Sequence, residues 1–251
     1  MRSIFDPNAR PLLEALATEE ALFAFDFDGT LAPIVEEPSA AFMRPRTAEL
    51  LTKLASRRPC AVISGRMRAD VLPRLGKAPL VAVVGNHGAE WEDGDDPRAR
   101  VARRRIGSIR EEIERRLGAV EGVRIEDKGL SLAVHLREPA SVENVAPLVS
   151  AALEPAHDAR VFGGKRVINV VLRDAPDKGT ALRRLVRELS PEAALYIGDD
   201  VTDEDAFVNP GVRAFCSIRV GQAPSSKAEY FLPHQNEIDE VLVMLLALGR
   251  R

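Results

Sequence analysis

The sequence predicts an α/β protein with a parallel sheet as its core and a smaller α+β unit inserted into it. Three observations carry this. Short continuous apolar runs rich in Val, Ile and Ala recur between turn residues, as buried parallel strands do. Stretches with helical spacing separate these runs, which is the pattern of βαβ units. The middle of the chain breaks that rhythm and reads helix, hairpin, helix, hairpin.

The elements follow in order. ALFAF at 21–25 is a strand delivering Asp26. TAELLTKLAS, with Pro45 ahead of it, has helical spacing. CAVIS at 60–64 is a strand, a short helix runs from about Arg68 to Leu75, and LVAVVGNHG at 80–88 is a strand and its exit loop. After the acidic loop EDGDDP comes RARVARRRIGSIREEIERRLGAV, a strongly charged helix. RIEDKGLSLAVHLR at 124–137 alternates as a hairpin with Lys128-Gly129 at its turn. A helix near Val142 to Leu153 and a second hairpin, DARVFGGKRVINVVL, turning at Gly163-Gly164, complete the insert. TALRRLVREL (helix), ALYIGDD (strand), a short helix after Asp203, RAFCSIRV (strand) and a C-terminal helix in VLVMLLAL return to the α/β pattern. The expected boundaries are core 1–103, insert 104–173 and core 174–251.

Composition narrows the function. With 251 residues, 45% hydrophobic, 29% charged and a net charge of -3, the chain reads as an ordinary globular protein with no bulk electrostatic case for nucleic acid. The run Arg103-Arg104-Arg105 reads as a solvated helix face paired with Glu111, Glu112 and Glu114. Cys60 and Cys216 lie far apart in apolar stretches, as buried free thiols suited to a reducing cytoplasm. The first sixteen residues carry charges too frequent for a signal-peptide core, and no run reaches membrane-spanning length. A cytoplasmic monomer without membrane or nucleic-acid partners is expected.

The chemistry concentrates at strand ends, where sites in such sheets lie. Asp26 and Asp28 leave the first apolar strand two residues apart, so an extended chain points them the same way. Carboxylates that close repel unless a cation or proton lies between them. A calcium loop would need Gly at its sixth position, where Leu31 stands, and a preceding helix. Ser64-Gly65-Arg66 offers a hydroxyl and backbone N–H groups for a phosphate oxygen, although Ser there is also a common N-cap. Lys178, in Asp177-Lys178-Gly179 before a helix, suits phosphate charge, although a lysine near a turn is also ordinarily solvated. Asp199, Asp200, Asp203, Glu204 and Asp205 crowd after another strand, an oxygen-rich set that suits Mg²⁺.

FDFDGTL, ISGR, DKG and GDDVTDE, in that order, resemble the haloacid dehalogenase-like phosphatases, a Rossmann-like core with a cap, here inserted as in the type-2 capped members. Within them, GNHGAEW, EDKGLSLAVHLR and GDDVTDE resemble segments of the trehalose-6-phosphate phosphatases. The resemblance implies that Asp26 is the nucleophile and Asp28 the general acid and then base. Mg²⁺ would be held by Asp26, Asp199 and the Asp28 carbonyl, with Asp200 and Asp203 orienting or completing the shell. Ser64 and Lys178 would hold phosphoryl oxygens, with Gly65 and Arg66 beside them. Glu126, Lys128 and Arg137 match sugar-contacting positions, and read by themselves are exposed hairpin charge. His87 is a substrate contact or a structural loop histidine, and Trp91 and His135 read as structural. One departure stands out: that family usually carries a glutamate and an Arg-Pro pair before DKG, and this chain has VINVVLRDAPDKG, with Asn169 or Val170 in the glutamate's place. The partner is then a small phosphorylated sugar, either trehalose 6-phosphate or another such as a glucosylglycerate-type or sucrose phosphate. A non-catalytic sugar-phosphate sensor on the same fold is the reading from a different class.

Overall fold

The computed structural model describes residues 1–17, 20–92, 97–154, 158–164 and 166–248. Its strands are β1 (Arg2–Ser3), β2 (Leu22–Phe25), β3 (Cys60–Ile63), β4 (Ala82–Val84), β5 (Val123–Asp127), β6 (Ser131–Leu136), β7 (Ala159–Gly164), β8 (Val167–Leu172), β9 (Ala193–Gly198), β10 (Ala214–Val220) and β11 (Tyr230–Leu232). Its helices are α1 (Arg10–Ala15), α2 (Pro45–Ala55), α3 (Arg68–Val71), α4 (Pro97–Leu117), α5 (Val142–Leu153), α6 (Lys178–Leu189) and α7 (Ile238–Ala247).

The chain divides into two compact units, 1–91 with 176–251, and 92–175. The first holds a seven-stranded sheet ordered β1-β11-β10-β9-β2-β3-β4, with every pairing parallel. Strands β2, β3 and β9 are buried along their whole length, which is why their sequences are continuous apolar runs. Alternation then splits each strand between two cores. Phe23, Phe25, Leu195 and Ile197 pack with residues of α1, α2 and α7. Leu22, Ala24, Ala194 and Tyr196 pack with Ala181, Leu182 and Leu185 of α6.

The second unit is an antiparallel sheet ordered β5-β6-β8-β7 with α4 and α5 against it. Ile106, Ile109, Ile113 and Leu117 form the apolar stripe of α4, meeting Leu132, Val134, Ile168 and Val170. The unit begins at 92 rather than 104, because the arginine run lies inside a helix already begun at Pro97. The first hairpin turns at Lys128-Gly129, with Gly129 at φ 74. The second turns later than the glycines suggest: Gly163 and Gly164 are still paired with Ile168 and Val167, and Arg166 takes the left-handed conformation. Position 165, residues 93–96 of the acidic loop and the terminal 249–251 lie outside the described residues. No helix among the described residues is long and apolar enough to cross a membrane.

Candidate active site

Neighbouring strands β9, β2 and β3 end side by side, and each releases a polar residue at its carboxyl end: Asp199, Asp26 and Ser64. Helix α6 adds Lys178 from its first turn, which Asp177 fixes by accepting the Thr180 N–H at 2.6 Å. The Lys178 ammonium is buried and bridges two carboxylates, Asp26 Oδ1 at 2.8 Å and Asp203 Oδ1 at 2.7 Å.

Asp26, Asp199 and Asp203 form a cluster whose carboxylate oxygens lie within 4.8 Å of one another. Two of the three carboxylates thus share one ammonium. Burial pushes the Asp26 carboxyl well above the usual range, although Lys178 opposes it. Burial, and then the Asp203 charge, push Asp199 up to about 7. Burial works against the Lys178 ammonium, but Asp203 and Asp26 outweigh it and hold its proton more tightly than usual. A hard divalent cation fits such a set: the donors are all oxygens, and the excess negative charge is what it would neutralise. Glycine makes the crowding possible. Gly29 has φ 77, and a Cβ there would stand 2.0 Å from Asp199 Oδ2.

Asp203 is the most buried member of the cluster. It is fully buried, and both oxygens are taken. Oδ1 accepts from Lys178 Nζ and from the Tyr196 hydroxyl at 2.6 Å; Oδ2 accepts from the Asp199 N–H at 3.0 Å and the Asp200 N–H at 2.9 Å. Asp200 lies outside the cluster, where it caps the short turn 201–203 with Asp203. Glu204 is held by Arg219 at 2.9 Å and accepts the Lys227 N–H.

The Asp28 carboxylate does not join Asp26. Strand β2 ends at Phe25 and the chain turns through Asp28 to Ala32, so the extended spacing that would align the two is gone. Arg66 grips both Asp28 oxygens at 2.7 Å and reaches Asp70 at 2.7 Å and the Pro38 carbonyl at 2.8 Å. Ser64 Oγ accepts the Arg66 N–H at 3.1 Å. His87, at φ 56, lays its ring on Gly65, where a Cβ would come within 2.4 Å of Cε1. Trp91 donates from Nε1 to the Gly88 carbonyl and stacks under Arg184, a structural role. In the second unit, Glu126 Oε2 lies 2.6 Å from His135 Nε2, and that hydrogen bond holds the Glu126 carboxyl below its usual range. Asn169 lies in the same cross-strand row as Glu126 and Ala133, and is buried.

A family model described as trehalose-phosphatase matches residues 24–235. The chain belongs to the trehalose-phosphatase family. It is 39% identical over 212 residues to the trehalose-phosphate phosphatase of Mycobacterium bovis (strain BCG / Pasteur 1173P2), covering 80% of this chain and 54% of that protein. It is 41% identical over 252 residues to the trehalose-phosphate phosphatase of Mycolicibacterium paratuberculosis, covering 94% and 60%. The chain therefore spans little more than half the length of these relatives. Among solved structures, the C-terminal domain of the Candida albicans trehalose-6-phosphate phosphatase superposes with a TM-score of 0.80 at 26% identity, covering 95% of this chain and 97% of that one. In this trehalose-phosphatase family member, Asp26, Lys178, Asp199 and Asp203 lie together. Tyr196, Asp70 and Glu90 were missed. Glu90 holds the Asn86 side chain and the Arg68 N–H, and Asp70 braces Arg66. Tyr196 had a signal: it is one of only two tyrosines, set in an otherwise apolar strand where its hydroxyl needs a partner.

Proposed function

We propose that this protein is a Mg²⁺-dependent phosphatase that hydrolyses trehalose 6-phosphate to trehalose and phosphate through an aspartyl-phosphate. The observation that supports it most directly is the buried Lys178 ammonium shared between Asp26 and Asp203 beside Asp199. One Asp26 oxygen is held by Lys178 and the other attacks phosphorus. The P–O bond to the sugar breaks, and Asp28 gives its proton to the leaving oxygen. Water then attacks the phosphorus of the aspartyl-phosphate, Asp28 takes its proton, and Asp26 leaves as a carboxylate. Ser64 and Lys178 hold the phosphoryl oxygens, Gly65, Arg66 and His87 line the same end of the sheet, and Arg66 fixes the direction of Asp28. Asp26, Asp199 and the Asp28 carbonyl would hold Mg²⁺, which would supply the charge that lets an anionic carboxylate meet an anionic phosphate. Glu126, Lys128 and Arg137 of the insert read the sugar.

Phosphate release should be measured across trehalose 6-phosphate, other sugar phosphates and an aryl phosphate, with Mg²⁺ and with EDTA. Trehalose 6-phosphate should be hydrolysed best, EDTA should abolish turnover, and Asp26→Asn should lower kcat by at least about a thousandfold. Turnover in chelator, or Asp26→Asn within about tenfold of wild type, overturns the mechanism. Preference for another sugar phosphate overturns only the substrate.

A further inference from the structure

We propose that Tyr196 is a positioning residue for this reaction, acting through Asp203 on Lys178 and on the backbone that carries Asp199 and Asp200. The inference rests on the phosphatase reading for its consequence, but on geometry for its content. Tyr196 occupies a strand whose neighbours Ala194, Leu195 and Ile197 are apolar, and it is itself fully buried. A phenol there costs stability unless its hydroxyl is bonded, and an aliphatic side chain would have no such need. Its one hydrogen bond is not spent on a backbone carbonyl. It goes to Asp203 Oδ1, the oxygen that also holds Lys178 Nζ.

Asp203 accepts from four donors, two on each oxygen, which fills its acceptor sites. It works as a bracket. One oxygen braces the lysine and the other braces two consecutive amides. Gly198 lets the bracket close, since a Cβ there would stand 2.2 Å from Asp203 Cγ. As a phosphoryl group gains charge it draws the Lys178 ammonium toward itself, and Asp203 must not follow. Lys178 belongs to helix α6 and the two amides to the chain just past β9. Tyr196 ties Asp203 back into β9 itself, on a ring packed edge-on against Phe207 at 5.9 Å.

The test compares Tyr196→Phe, which deletes only the hydroxyl, with Phe207→Leu, which loosens the same ring from its apolar side. Two readouts are taken on the full chain: amide hydrogen exchange at Asp199 and Asp200, and kcat with KM for p-nitrophenyl phosphate in Mg²⁺. Tyr196→Phe should speed exchange at both amides by about tenfold and lower kcat by about tenfold, as expected for one hydrogen bond to a charged group, with KM within about twofold. Phe207→Leu should lower the melting temperature but leave both readouts within about twofold of wild type. If Tyr196→Phe moves neither readout, or if Phe207→Leu reproduces both losses, the tyrosine is ordinary core and the proposal is overturned. If wild type releases no phosphate at all, the phosphatase reading falls by itself, and the exchange measurement still decides whether Tyr196 holds the bracket.

Discussion

Asp199 binds its proton more tightly in the folded chain than a free aspartate does, because burial and the Asp203 charge both disfavour the carboxylate. A carboxyl pushed up from about 4 to about 7 stabilises the fold at low pH, and that contribution is lost as pH rises through about 7. In metal-free buffer, wild type should therefore lose stability relative to Asp199→Asn between about pH 5 and about pH 8. Mg²⁺ should raise the wild-type melting temperature more at the upper end of that range, where it meets an ionised carboxylate. Melting curves of both proteins with and without Mg²⁺ decide it; a constant gap between them across the range would refute the raised Asp199 carboxyl.

Helix α6 shows how one element serves fold and site together. Its apolar residues Ala181, Leu182 and Leu185 close one face of the parallel sheet, and its first turn carries Lys178. The turn is set by the Asp177 carboxylate, which satisfies an N–H that would otherwise have no partner within the helix. Asp177→Ala should cost about 1 kcal/mol and lower the melting temperature by about 2–4 °C in a chain of this size. Asp177→Ser keeps an N-cap acceptor and should recover most of the loss. Equal melting temperatures for the alanine variant and wild type would show that the cap contributes nothing to stability.

At the scale of the molecule, three apolar clusters divide the labour. Two lie on opposite faces of the parallel sheet, and the third belongs wholly to the insert. A phosphomonoester offers every enzyme the same phosphate, so discrimination among sugars needs polar groups aimed at hydroxyls. Placing that task in the insert predicts a separation of effects. Glu126→Ala, Lys128→Ala and Arg137→Ala should each lower kcat/KM for trehalose 6-phosphate by about tenfold or more, the scale of one charge-assisted hydrogen bond. Hydrolysis of an aryl phosphate should stay near the wild-type rate. Parallel loss on both substrates would assign these residues to folding. Loss on neither would move sugar reading elsewhere, and the Asn169 departure would then point to a different natural substrate.

The sequence by itself determined the α/β class, the inserted α+β unit, three motifs at strand ends and one at a helix start. Each rests on local order: continuous apolar runs can be buried only on two faces, and a polar residue straight after such a run must lie at a strand end. The resemblance of its motifs to a known family implied that Asp26, Lys178 and Asp199 share one site. Tertiary structure alone decided which partners each carboxylate meets. Spacing made Asp26 and Asp28 a pair, but the turn after Phe25 sends Asp28 to Arg66. Spacing made Asp203 a metal candidate; the fold keeps it in the cluster and bonds its oxygens to Lys178, Tyr196 and two amides. Those partners lie up to 25 residues away along the chain, so no local pattern announces them. A carboxylate's charge and direction follow from which donors reach it, and only the folded chain brings the donors there.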